Sequence, residues 1–397
     1  MVRYLGRRAA LSLLTLYLFA TAIFFVGQMI MPGDFIASLG PLPGEVREEI
    51  RQELELDRPI WEQYLSWLGG AIRGDLGLAF GRDPWNRVPV SEMLRAAVPN
   101  SLIAFTVAAG AAFVVGGWLG RLSGWRKGRL FRSITTGTSV GLYTTFPPWL
   151  AFVATYALTA LVGVRAREDI LRVDPVLASQ ADVPFALVGT RLRWFMLLTV
   201  LAALLALPVL NRVGRALNWR RVPLLFTAAW VGIAPVAMWL AVGAGPQALD
   251  VATSQLVPLF LLFLLFFGEV VVITQAAMVA GRHEDYVLTA RAKGLSDRQV
   301  RDRHAARPAL LPILSRLVVS LPYFLAGMVI VERALGYPGL GSVLFNALDV
   351  EDTFLIMGAL LVIGLITIVA RLVLDVLHAF LDPRIRFDAA RETPGEG

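Results

Sequence analysis

Apolar runs of about 20 residues, the length a helix needs to cross a bilayer, dominate this chain. Eight can be read, roughly at 9–31, 100–122, 133–163, 190–210, 223–245, 255–281, 309–331 and 354–380. In hydrocarbon a backbone must satisfy its own polar groups, so runs of this kind predict helices. The expected fold class is an all-α polytopic membrane protein with about eight transmembrane helices. Composition agrees: 56% of the 397 residues are hydrophobic and 17% are charged, against about 25% charged in ordinary soluble domains. The first run could be mistaken for a signal peptide. Its apolar stretch from Ala9 to Met31 exceeds the roughly 7–15 residues of a signal core, so it reads as an anchor.

Arginine placement sets the expected orientation. With the N-terminus inside, the cytoplasmic pieces are 1–8, 121–132, 211–222, 282–308 and the tail after Leu381, and they hold 22 of the 37 Lys and Arg. RLSGWRKGRLFR and NRVGRALNWRR are short basic loops of the type that fixes topology. The 32–100 segment has more acids than bases, 11 against 7. Arg191 and Arg193 fall on the opposite side, at the outer edge of the fourth run. The net charge of +7 is thus explained by membrane topology, with no call for nucleic acid.

Several chemistries are excluded by absence. There is no cysteine, so no disulfide and no thiolate metal site. The three histidines, His283, His304 and His378, lack ligand spacing, and no metal site is expected. Neither lysine, Lys127 nor Lys293, follows a glycine directly, so there is no P-loop to cradle ATP phosphates. No His-Glu-x-x-His occurs, and no catalytic residue is assigned. If ATP and Mg are used, partner subunits must bind them.

One polar segment stands apart, EDYVLTARAKGLSDRQVRDRHAARPALLP, between two of the long apolar runs. Glu284 and Asp285 open a first short helix and Arg291 and Lys293 close it, which suits the helix dipole. Gly294 is a natural residue to follow the C-cap, since positive φ carries no Cβ penalty there. Ser296 and Gln299 have the spacing of a capping box that starts a second short helix. Physics alone leaves two readings: a solvated positive loop, or a docking site for a soluble partner.

Here YVLTARAKGLS followed by RHAARPALLP resembles the cytoplasmic loop of ATP-binding cassette importer permeases, in the dipeptide/oligopeptide/nickel branch. In that family the loop is a coupling helix seated in a groove of the ATPase. The family signature has Glu-Ala-Ala six to four residues before the glycine. This chain has Leu288, Thr289 and Ala290, so only the last matches, while Gly294 and the Leu311-Pro312 pair match. The resemblance implies an ATPase-docking loop of Glu284, Asp285, Tyr286, Thr289, Ala290, Arg291, Ala292, Lys293, Gly294, Leu295 and Ser296. It extends to the first run with Pro32-Gly33-Asp34, to Leu54–Phe80, to VIVERALGYPGLGSVLFNAL with Pro338, Gly339, Leu340 and Gly341, and to the closing LDPRIRF. It implies a permease subunit in a prokaryotic cytoplasmic (inner) membrane, both termini cytoplasmic. The implied partners are two ATPase subunits, a second permease that favours a heterodimer, and an extracytoplasmic substrate-binding protein.

Permeases of this branch usually have six spans, so the eight runs suggest a six-span core plus an inserted helical pair at 190–210 and 223–245. The expected organisation is an anchor over 1–31, an extracytoplasmic segment over 32–99, spans two and three over 100–163 and the inserted hairpin over 164–254. A permease core over 255–387 follows, containing the coupling loop 282–308, with a disordered tail over 388–397. The 32–100 segment, with Trp61, Tyr64, Trp67 and Trp85, reads as an interfacial cap, as a surface for the binding protein, or as both.

Within the runs, Glu269 is costly in hydrocarbon unless paired or protonated. It can line a translocation path or pair structurally, with Arg316 or Arg371 as partner. Pro147 and Pro148 in the third run and Pro322 in the seventh break backbone hydrogen bonds, which neighbouring helices or a wet cavity would satisfy, and they mark either helices that bend during alternating access or static kinks. The rival to an importer subunit is a self-contained secondary transporter or channel with Glu269 as its ion or proton site.

Overall fold

The computed structural model describes residues 2–30, 43–53, 57–79, 87–125, 128–162, 194–200, 202–203, 206, 224–245 and 256–381. Pro32-Gly33-Asp34, Trp85, Arg191, Arg193, most of 164–223, LDPRIRF beyond Leu381 and the tail 388–397 lie outside them. The described residues are almost entirely helical: α1 (Val2–Ile30), α2 (Gly44–Glu53), α3 (Ile60–Arg73), α4 (Val90–Trp125), α5 (Arg129–Thr144), α6 (Pro147–Val162), α7 (Leu224–Ala241), α8 (Leu256–Gly281), α9 (Asp285–Ala292), α10 (Ala306–Leu335), α11 (Leu340–Asp349) and α12 (Thr353–Leu381). The strands form one two-residue antiparallel ladder, Leu78 with Pro89 and Ala79 with Val88.

Among the described residues, five helices are long and apolar enough to cross a membrane: Gly6–Gln28, Val90–Trp125, Val257–Gly281, Pro312–Leu335 and Thr353–Val376. They correspond to the first, second, sixth, seventh and eighth runs. The run at 133–163 is two helices of 16 residues, α5 and α6, separated at Thr145 and Phe146. Pro147 is the first residue of α6, a position where the missing N–H costs nothing. The prolines therefore start a new helix rather than bend one. The boundary expected at residue 100 also moves, because α4 begins at Val90 and runs through Pro99.

The bundle is organised by α4 and α8. Ala104, Ala108, Ala112, Gly116, Gly120 and Gly124 recur every fourth residue and are buried. Residues four apart share a helix face, and small side chains there let two membrane helices approach closely. A Cβ at Gly120 would lie 2.6 Å from Cβ of Thr274 and 2.8 Å from the Val271 carbonyl oxygen of α8. One at Gly124 would lie 2.8 Å from the Gln275 carbonyl oxygen. Helix α10 closes the core, where Phe266 and Phe324 rings sit 4.3 Å apart beside buried Leu262 and Met328. Helix α12 packs on α1 and α11, tied to α1 by Arg8 and Asp375 at 3.4 Å.

The second half of the expected inserted pair is α7, and residues 194–200 of the first half are helical. Trp239 donates its indole N–H to Thr199 Oγ1 at 2.9 Å, and Trp230 donates to the Ala203 carbonyl at 3.2 Å. Met196, Leu197 and Ala244 then pack on Ile103 of α4, so the pair leans on the bundle from one side. In the segment after α1, α3 turns Tyr64 and Trp67 inward to Phe24 and leaves Trp61, Leu65 and Ile72 exposed. That apolar outer stripe suits a helix resting at a membrane interface.

Candidate functional site

The polar segment folds as a compact attachment on one end of the bundle, here termed the loop end. Helix α9 finishes as a Schellman motif: Gly294 N–H bonds the Arg291 carbonyl at 2.9 Å and Leu295 N–H the Ala290 carbonyl at 3.4 Å. Gly294 has φ +73°, the left-handed conformation that its sequence position predicted. The capping box is also formed, with Gln299 N–H to Ser296 Oγ at 3.4 Å and Ser296 N–H to Gln299 Oε1 at 3.1 Å. The second helix is not short. One α turn at Asp297–Gln299 passes into six π-helical residues, Val300–Ala305, and these continue directly into α10. The Ala306 N–H reaches back to the Arg301 carbonyl, five residues away, which marks the wider register. The loop and a spanning helix are thus one rod from Asp297 to Leu335.

The underside of the loop is a small apolar core of Val287, Ala290, Val300, Ala305, Ala306 and Ala309 around Trp125 and Met278. Trp125, the last residue of α4, donates its indole N–H to Asp297 Oδ2 at 2.7 Å. The Arg282 and Arg291 guanidinium carbons stand 5.8 and 5.5 Å from its ring centroid, within cation–π range. This anchor is invisible to a reading of the loop alone, because Trp125 lies more than 150 residues earlier in the chain. Glu284, Asp285, Tyr286, Thr289, Arg291, Ala292, Lys293, Gly294 and Ser296 are exposed, Leu295 is half-buried, and Leu288 joins the outer face. Ala290 is buried and faces inward, so it serves the anchor and not the outer surface.

Charge at the loop end centres on Asp302, which accepts from Arg301 Nε at 2.8 Å and from Arg301 Nη2 at 2.9 Å. That bidentate bond, more than the nearby Arg121 and Arg298 charges, holds the Asp302 carboxyl below the usual carboxylate range. Partial burial, and then the Glu284 charge, push the Tyr286 hydroxyl up.

Beside the loop runs a groove of about 750 Å³, walled by Tyr143 of α5, Glu269, Val272, Ile273, Ala276 and Ala280 of α8, and Pro308, Pro312 and Arg316. Glu284 and Tyr286 form its rim at the loop end. Glu269 is 3% exposed. Its Oε1 accepts from the Ser320 hydroxyl in a short hydrogen bond and lies 3.5 Å from Arg316 Nε. Of the two arginines expected as partner, it is Arg316 that makes the contact. Pro147 and Pro148 do not line this groove; Pro147 packs toward Gly327 of α10 instead.

A second polar cluster sits at the opposite end of α10. Glu332, fully buried, accepts from Ser101 Oγ at 2.6 Å and from the Gly341 N–H at 2.7 Å. Ser101 Oγ in turn accepts from the Leu340 N–H at 2.8 Å, and Asn100 Nδ2 donates to the Pro338 carbonyl at 2.6 Å. The Pro338–Gly341 turn is thereby wrapped on a carboxylate, and a Cβ at Gly339 would collide with it. The sequence offered a signal for this, a glutamate near the end of an apolar run and followed by a glycine-rich turn.

Comparison with known proteins places these features. The chain is 26% identical over 389 residues to the dipeptide transport system permease protein DppB of Escherichia coli, covering 97% of this chain and 99% of that protein. It is 24% identical to the oligopeptide transport system permease protein OppB of Haemophilus influenzae, over 98% of this chain and all of the relative. It is 25% identical to the oligopeptide transport system permease protein AppB of Bacillus subtilis, again over 98% and the full relative. Residues 112–387, which hold the loop, the groove, Glu332 with its glycine-rich turn and the α4–α8 stripe from Ala112 onward, match the family described as the inner membrane component of binding-protein-dependent transport systems. The chain belongs to that family: it is a membrane transport component and not an enzyme.

Proposed function

We propose that this chain is the permease subunit of an ATP-driven importer that moves peptides or similar small solutes. An extracytoplasmic binding protein delivers the cargo, and two partner ATPases drive the cycle through the loop around Gly294. The observation that carries this reading is the continuity of the rod from Asp297 to Leu335, with its lower end anchored on Trp125. At 1.5 Å per residue, α10 alone is about 45 Å long. A displacement of α9 by a partner is therefore delivered to the groove wall at Pro312 and Arg316 and on to the Glu332 cluster. ATP shifts the permease only through contacts that differ between its two states, and the exposed face of α9 supplies them. Glu269 and Arg316 line the path that the cargo takes, while Pro147 and Pro148 set the start of α6 beside it. A second permease completes the path, and both termini are cytoplasmic. Similarity to named peptide permeases over nearly the whole chain supports peptide cargo and leaves the ion-gradient alternative without support.

Gentle purification of tagged protein from its native membrane is expected to recover P-loop ATPases and a second permease. Gly294→Arg places a large side chain at a position with φ +73° on the outer face, where a non-glycine residue costs roughly 1–2 kcal/mol. The variant is expected to assemble and to hydrolyse ATP while uptake is lost. Normal uptake by a well-expressed Gly294→Arg protein would overturn the coupling role.

A further inference from the structure

One polar atom in the wall of the groove is left over by the packing. Glu269 uses Oε1 for Ser320 and Arg316, but its Oε2 is buried with no hydrogen-bond partner. Buried acceptors are almost always satisfied, and an exception in a cavity wall calls for a ligand, an ion or a water to complete it. The surroundings choose among these. The charged groups on the groove are two carboxylates, Glu269 and Glu284, against one guanidinium, Arg316, so the lining favours a cation. A hard divalent ion needs about six or more oxygen ligands. Among the described residues no cluster of three His, Cys, Asp or Glu gathers to supply them. A primary ammonium asks for fewer acceptors and brings an apolar stem that suits Val272, Ile273 and Ala276.

The geometry points to a recognition site for the free ammonium group of the transported solute at Glu269, with Arg316 as the resting counter-ion that the ammonium displaces. Arg316 is built for this exchange. Its side chain is 52% exposed, and it holds Glu269 through one contact at 3.5 Å. When it swings toward the open groove, the side of the carboxylate that it covers is opened to the ammonium. Ser320 keeps Oε1 in place from the buried side of α10. The groove volume of about 750 Å³ falls within the roughly 300–1,000 Å³ of small-molecule sites. Solutes with a free amino end are thereby selected over N-blocked peptides and uncharged sugars. This inference rests on the groove being the cargo path of the proposed importer.

The test is binding to the whole complex, purified with its partner subunits but without binding protein or nucleotide. Tritiated dialanine, N-acetyl-dialanine and trialanine are titrated, trialanine controlling for size because it keeps the ammonium. The wild type is expected to bind N-acetyl-dialanine about tenfold more weakly than dialanine, the scale of one lost charge-assisted contact. E269Q is expected to bring that ratio to about one while E269D retains it. Equal binding of the two peptides by the wild type, no saturable binding of dialanine, or an unchanged ratio in E269Q would each overturn the proposal. The wild-type ratio stands even if E269Q fails to fold. ATP-dependent uptake in proteoliposomes is measured separately: its absence sinks the importer reading and leaves the binding ratio to judge the ammonium site.

Discussion

The α4–α8 contact gives the sharpest test of the architecture. Gly120→Ala adds one carbon, and that carbon would lie 2.6 Å from Thr274 Cβ, 2.8 Å from the Val271 carbonyl oxygen and 3.0 Å from Thr274 Cγ2. Ordinary contacts between such atoms begin near 3.5 Å, so α4 and α8 must part by close to an ångström. Neither neighbour can give cheaply, since one is backbone and the other the branch point of a β-branched side chain. Overpacking of this kind costs about 1–3 kcal/mol. The strain is passed along a stripe that runs six positions from Ala104 to Gly124. Gly110→Ala in the same helix is the control. A Cβ there meets nothing within 4 Å, and Ala is favoured over Gly in a helix interior by about 0.5–1 kcal/mol. Thermal unfolding of the two detergent-solubilised variants should separate them, Gly120→Ala melting well below wild type and Gly110→Ala at or above it. Equal melting temperatures would refute the close approach of α4 and α8 and with it the packing order of the bundle.

Trp125→Phe keeps a ring under Arg291 but removes the indole bond to Asp297, a loss of about 0.5–1.5 kcal/mol. Limited trypsinolysis at Arg291 and Lys293 should then be faster, and an unchanged rate would deny the anchor. Asp302 contributes stability that is complete above its unfolded-state value near 4 and is lost as pH falls through its depressed folded value. An acid unfolding profile should show this loss, and Asp302→Asn should flatten it. Glu332→Ala strips Ser101 and the Gly341 N–H of their buried acceptor, at about 1–3 kcal/mol for each unsatisfied group. Glu332→Gln keeps one acceptor and should melt between Glu332→Ala and wild type.

The parts of this fold that could be read from sequence are those where one local rule decides. Long apolar runs marked five spanning helices, because in hydrocarbon the backbone has no alternative. Gly294, Ser296 and Gln299 announced their own conformations, because a left-handed cap and a capping box are each set within a few residues. Reading failed where distant residues decide. An apolar run cannot say whether it is one helix or two, and Pro147 fits a kink as readily as the helix start that it makes. The start of α4 at Val90 was hidden because Pro99, Asn100 and Ser101 resemble a helix start. Their polar side chains are occupied instead by Pro338, Glu332 and Leu340, more than 200 residues away. Glu269 was visible as an expensive charge, but the choice of Arg316 over Arg371 depended on how α8 and α10 face each other.

The same contacts would let the loop act on the groove if it couples as proposed. Helix α9 alone is eight residues long and could not hold its shape in water. It is ordered by Trp125 from α4, by Met278 from α8 and by the rod that becomes α10. Those three helices form the main core, and α8 and α10 also carry the groove. A force on the exposed face of α9 therefore passes one softer joint, the π segment, before it reaches Arg316. The π segment is the one place where the rod has a second available register, since shifting Val300–Ala305 to α-helical bonding would rotate everything above it. That makes Asp302 and Arg301, which clasp each other on this segment, the residues whose pairing should set how stiffly loop and groove move together.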